Sequence, residues 1–204
     1  MPVSAQYGGS SGTTGTVTTS VSGNVLTINL ANVSGGDTVT LTNLTIPGLT
    51  GLEFKFSGNV ASGSIVFTPL TSSTLAANLP NSFIAGYSMT VNGFSASLIS
   101  SVKLTVSVAN TVLANYDTST IKAYSSASPW AVTGLASLGT ANGSTSYAIT
   151  TAGAFNQVAL SGVLTSDLPR TGAESLTTTG VIGALVILIS YFLVQSLNTK
   201  KARR

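Results

Sequence analysis

Between residues 25 and 160 apolar side chains recur at every second position in short runs. Val25-Leu26-Thr27-Ile28-Asn29-Leu30 alternates in this way, as do Thr38-Val39-Thr40-Leu41-Thr42, Leu52-Glu53-Phe54-Lys55-Phe56 and Val102-Lys103-Leu104-Thr105-Val106-Ser107-Val108. A period of two places one face of a strand in a core and the other in water, so each run reads as a half-buried β-strand. Further strands are expected near 64–68, 87–91, 120–124, 146–150 and 155–160. Turn-forming residues separate the runs at intervals of about eight to twelve residues: Ser22-Gly23-Asn24, Gly35-Gly36-Asp37, Pro47-Gly48, Ser57-Gly58-Asn59 and Asn142-Gly143. Short alternating strands with polar turns predict an all-β fold, a β-sandwich of Greek-key or Ig-like type. Residues 16–162 are assigned to one such domain, because two halves of about 70 residues each would be marginal without disulfides. The Gly/Ser/Thr-rich stretch 8–16 reads as a flexible lead-in, and 161–167 as a short stalk.

The pattern changes near the carboxyl end. Residues 181–197 carry no charge and are mostly apolar. At 1.5 Å per residue such a run is about the shortest that spans a hydrocarbon core of about 30 Å. It predicts a single transmembrane helix. Residues 198–204 follow with Lys200, Lys201, Arg203 and Arg204, a membrane stop that places the carboxyl end in the cytoplasm and everything before residue 181 outside.

Charge divides the chain at the same place. Lys55, Lys103, Lys122 and Arg170 balance Asp37, Glu53, Asp117 and Asp167, so the exterior part is formally neutral. The overall +3 comes from the basic tail less Glu174. The basic pI therefore describes the tail, and a nucleic-acid-binding face is not expected. Only 6% of residues are charged, against about 25% in ordinary soluble domains. Solubility must rest on Ser and Thr, 60 of 204 residues. There is no Cys and no His, which removes disulfides, thiolate chemistry and His-assisted nucleophiles. Asp37 and Glu53 could face each other from neighbouring strands, but neither sits in an acid–base motif. No catalytic residue, metal site or cofactor is expected.

Just before the apolar run stands Leu168-Pro169-Arg170-Thr171-Gly172. Pro169 fixes its own φ and favours an extended Leu168, the shape of a peptide read in a groove. Pentapeptide, polar spacer 173–180, spanning run and basic tail, in this order, resemble the sorting signal of L-P-x-T-G cell-surface proteins. The resemblance implies a sortase partner that cleaves between Thr171 and Gly172 and joins Thr171 to a peptidoglycan amine. It also implies a membrane-spanning precursor and a cell-wall-anchored, extracellular product. Residues 163–180 are then the stalk bearing the signal. Export needs a leader, and Val3, Ala5 and Gln6 fit the −3, −1 and +1 positions of a signal-peptidase site. Residues 1–15 are accordingly read as the end of a signal peptide plus lead-in, with the true start upstream.

A second resemblance covers part of the exterior. Val102-Lys103-Leu104-Thr105-Val106-Ser107-Val108, Asn115-Tyr116-Asp117, Ile121-Lys122-Ala123-Tyr124, Trp130, Leu135, Tyr147-Ala148 and Gly153-Ala154-Phe155 are similar to the end of the PGF-pre-PGF domain of archaeal surface proteins. It departs in the inserted Ala154 and in the L-P-x-T-G ending. It implies a surface β-domain beside a membrane anchor and carries no catalytic residues.

Three side-chain groups merit separate expectations. Trp130, near Tyr124 in sequence, reads first as a buried or half-buried hairpin aromatic and otherwise as a ring on which a sugar could stack. Lys55, Lys103 and Lys122 read as outward-pointing edge lysines that oppose aggregation, with Lys–Asn isopeptide bonds as the alternative. Asn32, Asn43 and Asn142 each open an N-x-[ST] pattern, the acceptor for glycosylation of asparagine. The combined expectation is a non-enzymatic, secreted structural or adhesive protein anchored to the cell wall. The alternative is a membrane-retained binding module, for a glycan for example, with an incidental pentapeptide.

Overall fold

The computed structural model describes residues 4–8, 15–126 and 130–167. They form an all-β unit of twelve strands: β1 (Ser4–Gly8), β2 (Thr16–Ser22), β3 (Val25–Val33), β4 (Thr38–Ile46), β5 (Leu49–Phe56), β6 (Val60–Pro69), β7 (Ser82–Asn92), β8 (Ile99–Ala109), β9 (Lys122–Ser126), β10 (Trp130–Ala141), β11 (Ser144–Thr151) and β12 (Gln157–Gly162). One helical turn, α1 (Asn110–Leu113), follows β8.

Three of the turn signals close two-residue hairpins. Gly23 (φ 59°) lies between the paired Ser22 and Val25, Gly48 (φ 72°) between Ile46 and Leu49, and Asn142 (φ 50°) with Gly143 (φ 73°) between Ala141 and Ser144. Of the three, Asn142-Gly143 alone has positive φ at both central positions, the type I′ turn whose twist matches that of the flanking strands and which favours Asn-Gly.

The strands make one antiparallel sheet in the order β1-β4-β5-β8-β11-β10-β9-β12-β7-β6-β3-β2. Strand β10 is shared between its halves: residues 130–133 pair with β9 and residues 134–141 with β11. The sheet turns its corner there and folds over on itself. Phe54 of β5 meets Phe67 of β6 with ring centroids 5.9 Å apart, and Phe155 closes edge-on against Phe67 at 6.2 Å. The end strands β1 and β2 return beside each other, so the sheet is nearly closed. Such closure protects strand edges that would otherwise pair with other chains.

The alternation read from sequence supplies the core. Leu26, Ile28 and Leu30, Val39 and Leu41, Leu52, Phe54 and Phe56, and Val102, Leu104 and Val106 are all buried inward. Burial of each large apolar side chain contributes about 1.5–3 kcal/mol before the entropy of ordering is set against it.

Two boundary expectations change. Residues 4–8, placed in the lead-in around a processing site, form β1, with Ser4 opposite Thr42 and Gly8 opposite Thr38. Residues 163–166, expected to be stalk, belong to the folded unit, as do 161 and 162 at the end of the expected domain. Ser161 and Gly162 are buried in β12, and Val163 and Thr165 donate backbone N–H groups to the Thr120 hydroxyl (2.9 Å) and Asn115 carbonyl (3.0 Å). Leu164 forms a β-bridge with Tyr116. Ser, Thr and backbone groups that look like linker in sequence here complete one another's hydrogen bonds.

Candidate functional site

The outer face of the second half of the sheet carries the most elaborate surface feature. The alternation that buries Ala123 and Leu160 inward turns Trp130, Ser126 and Gln157 outward on neighbouring strands. Trp130 is directly opposite Ser126, and the Gln157 N–H donates to the Ser126 hydroxyl at 3.1 Å. Over this row lies the loop 70–81 between β6 and β7, which follows Leu70 into a turn closed by the Thr74 N–H on the Thr71 carbonyl.

Side chains from the sheet hold that loop by its backbone. The Gln157 amide accepts from the Ala76 N–H (2.8 Å) and donates to the Thr74 carbonyl (3.0 Å). The Ser161 hydroxyl donates to the Pro80 carbonyl at 2.5 Å, and the Trp130 indole N–H to the Ala77 carbonyl at 3.2 Å. Asn78 and Asn81 supply the left-handed backbone that bends the loop back (φ 66° and 62°). Bound in this way, the indole has its only polar group satisfied and its orientation set. It is half-buried at the start of the β9–β10 hairpin, as expected of a hairpin aromatic, and stands outside the core cluster. Position 130 begins a strand whose outward row faces the loop.

Between loop and sheet lies a pocket of about 590 Å³, lined by Ala76, Ala77, Asn78, Ser126, Trp130, Asn156 and Gln157. A neighbouring pocket of about 430 Å³ shares Ser126 and Asn156 and continues over Met89, Val91, Ala154 and Phe155. Neither lining contains an ionisable side chain. Sequence reasoning singled out Trp130 but missed Gln157, Asn78 and Asn156. An isolated amide in a polar chain gives no signal until the topology brings three strands and a remote loop together.

The acidic residues take structural roles. Asp37 is 1% exposed, and its carboxylate accepts the Ser34 N–H at 2.6 Å across a tight turn. Its carbonyl accepts the Phe56 N–H at 3.1 Å, which sets Asp37 on the core side of β4. Glu53 lies on the outer side, opposite Lys103 and Thr40. The two carboxylates are thus on opposite faces and make no acid–base pair. Asp117 caps the short 3₁₀ turn that precedes β9, accepting from the Ser119 N–H (3.0 Å) and hydroxyl (2.6 Å). Among the described residues no three His, Cys, Asp or Glu stand close enough to hold a metal.

Lys55, Lys103 and Lys122 are exposed, but they project from β5, β8 and β9 inside the sheet, which corrects their reading as edge residues. Exposed amines also lack the dry setting that isopeptide formation needs, although Glu53 stands opposite Lys103. Asn32, Asn43 and Asn142 are exposed, and all three have left-handed backbone (φ 56°, 57° and 50°). Asn43 sits where the β4–β5 register shifts, a β-bulge. Backbone conformation is therefore reason enough for asparagine at each.

Two tyrosines, Tyr87 buried and Tyr116 half-buried, pin remote segments. The Tyr87 hydroxyl donates to the Pro47 carbonyl at 2.6 Å, and that of Tyr116 to the Phe83 carbonyl at 2.7 Å. Burial raises the pKa of both phenols, and of Tyr147, above the ordinary value.

Val3 and residues 168–204, with Leu168, Pro169, Arg170, Thr171, Gly172, Lys200, Lys201, Arg203 and Arg204, lie outside the described residues, whereas Ala5 and Gln6 pair in β1. Among the described residues no helix is long and apolar enough to cross a membrane. No protein-family model, curated protein or solved structure matches the chain.

Proposed function

We propose that this chain is a cell-surface structural and adhesive protein that sortase joins to the cell wall. The observation that carries the reading is the order Leu168-Pro169-Arg170-Thr171-Gly172, uncharged run 181–197, then Lys200, Lys201, Arg203 and Arg204. In this reading the folded-over sheet is the sandwich ectodomain, and 181–197 the single transmembrane helix of the precursor.

Residues 163–165 are hydrogen-bonded to 115–120, and Leu168 follows Thr165 by three positions, so the pentapeptide comes soon after β12 along the sequence. The chemistry belongs to the partner. A sortase thiolate attacks the Thr171 carbonyl, the Thr171–Gly172 bond breaks, and the Gly172 amine takes a proton and leaves. A wall amine then displaces the thiolate, giving an amide at Thr171. This chain supplies the pentapeptide substrate and a neutral, charge-poor ectodomain.

Fractionation of cells that carry an active sortase tests the proposal. Wild type should be released by a wall hydrolase, while Pro169→Ala or deletion of Thr171 and Gly172 should leave the chain exported but detergent-extractable. Equal wall release of all three would overturn it.

A further inference from the structure

We propose that the pocket between Trp130 and the loop 70–81 binds a neutral oligosaccharide. This gives the adhesive part of the proposed role its ligand class, and in that sense builds on it.

Three features select the ligand. The indole of Trp130 is half-buried and held by its N–H on the Ala77 carbonyl, so it presents a fixed apolar surface to the pocket. Flat aromatic surface of this kind fits the C–H face of a sugar ring at little cost in side-chain entropy. Around it stand Asn78 and Asn156, both exposed, each with donors and an acceptor in one plane that can meet adjacent hydroxyls. No lining residue is ionisable, which disfavours charged ligands: an anion would find no cation, and a cation no carboxylate.

The second lobe extends the site. It continues past the shared Ser126 and Asn156 toward Met89 and Phe155, giving volumes of about 590 and 430 Å³ in succession. The first alone is within the usual range of about 300–1,000 Å³ for small-ligand sites. Two joined lobes suit a chain of two or more sugar rings better than a single one. With one aromatic platform, affinity should be modest, a Kd on the order of 1 mM for one ring and tighter for an oligomer.

Trp130 is the single tryptophan of the chain, so intrinsic tryptophan fluorescence reports on this site alone. The full chain, kept in a polyoxyethylene detergent without sugar groups, is titrated with cellotetraose, chitotetraose, maltotetraose and mannotetraose, and with tetragalacturonate as the acidic counterpart. The expected result is a saturable emission change with at least one neutral tetrasaccharide, with Kd unchanged within twofold between about 50 and 500 mM salt. Asn78→Gly keeps the left-handed backbone and Asn156→Ala is an exposed change. Together they should weaken binding at least fivefold with the melting transition retained. Trp130→Phe should weaken it less than Trp130→Ala, with binding then read by calorimetry.

The proposal is overturned if no neutral tetrasaccharide gives a saturable change up to about 20 mM. It is overturned equally if tetragalacturonate binds tighter in a salt-dependent way, or if the folded Asn78→Gly, Asn156→Ala chain binds as wild type does. The titration reads neither sorting nor wall attachment, so its failure leaves cleavage at Thr171 standing, and the converse holds.

Discussion

Tyr87 ties a central strand to a hairpin it never pairs with. Its ring fills the core, its hydroxyl donates to the Pro47 carbonyl, and a Cβ on Gly48 would come within 2.9 Å of that hydroxyl. Tyr87→Phe should cost about 1–2 kcal/mol, the loss of one buried hydrogen bond, seen as a lower melting temperature. Because burial raises the phenol pKa in the folded state, its stabilising effect is complete below the unfolded value of about 10 and is lost as pH rises toward the folded one. Thermal melts should therefore be flat between about pH 5 and 9, where neither His nor Cys titrates, and fall above about pH 10. Tyr87→Phe should make that alkaline fall shallower; Tyr116 and Tyr147, also raised, keep it from vanishing. Gly86 is a second sensitive position, since a Cβ there would lie 2.6 Å from the Val158 carbonyl oxygen and 3.1 Å from the Ala159 Cα. Both neighbours are backbone of the paired strand β12, so Gly86→Ala should destabilise by about 2 kcal/mol or more. A denaturant midpoint unchanged by that substitution would contradict the close packing of β7 on β12.

Among the elements, the docked carboxyl-terminal segment makes the clearest prediction. A chain ending after Asp167 should keep the wild-type melting transition of the folded unit, whereas one ending after Ser161 should melt lower by at least about 5 °C, having lost the Tyr116–Leu164 bridge and the Val163 and Thr165 hydrogen bonds. Equal melting of the two would mean that 162–167 is stalk after all. This boundary was illegible in sequence, since Ser, Gly and Thr near a predicted anchor read as linker. The strands with strict alternation, such as 25–30, 52–56 and 102–108, were legible because each buries one whole face. Strands β1, β2 and β10 were not. The first two form the ends of the sheet and have short or hydroxyl-rich sequences, and β10 carries Gly134 and Gly139 and is largely exposed on both sides as it rounds the corner. For the same reason the continuity of one folded-over sheet through β10 cannot be read from the alternation alone. At the candidate site one residue of the lining, Trp130, was conspicuous in sequence. The amides and the loop depend on contacts such as Gln157 to Thr74 and Ala76, more than 80 residues apart.

For the molecule as a whole, a formally neutral stretch up to Thr171 is joined to a strongly basic end. The far-ultraviolet circular dichroism of residues 4–167 should be that of a strand-rich protein, and a spectrum dominated by helix would contradict the fold. Few charges and many hydroxyls suit a domain held at a surface by a covalent bond rather than by electrostatic attraction. The proposed transfer removes the +4 cluster of Lys200, Lys201, Arg203 and Arg204 together with Glu174, so the mature product is neutral and ends at Thr171. Mass spectrometry of the carboxyl-terminal peptide, taken from protein released by a wall hydrolase, tests this most directly. The expected peptide ends at Thr171 in amide linkage to a wall fragment. Recovery of the protein only in detergent extracts, with Lys200, Lys201, Arg203 and Arg204 still attached in cells that possess an active sortase, would contradict it.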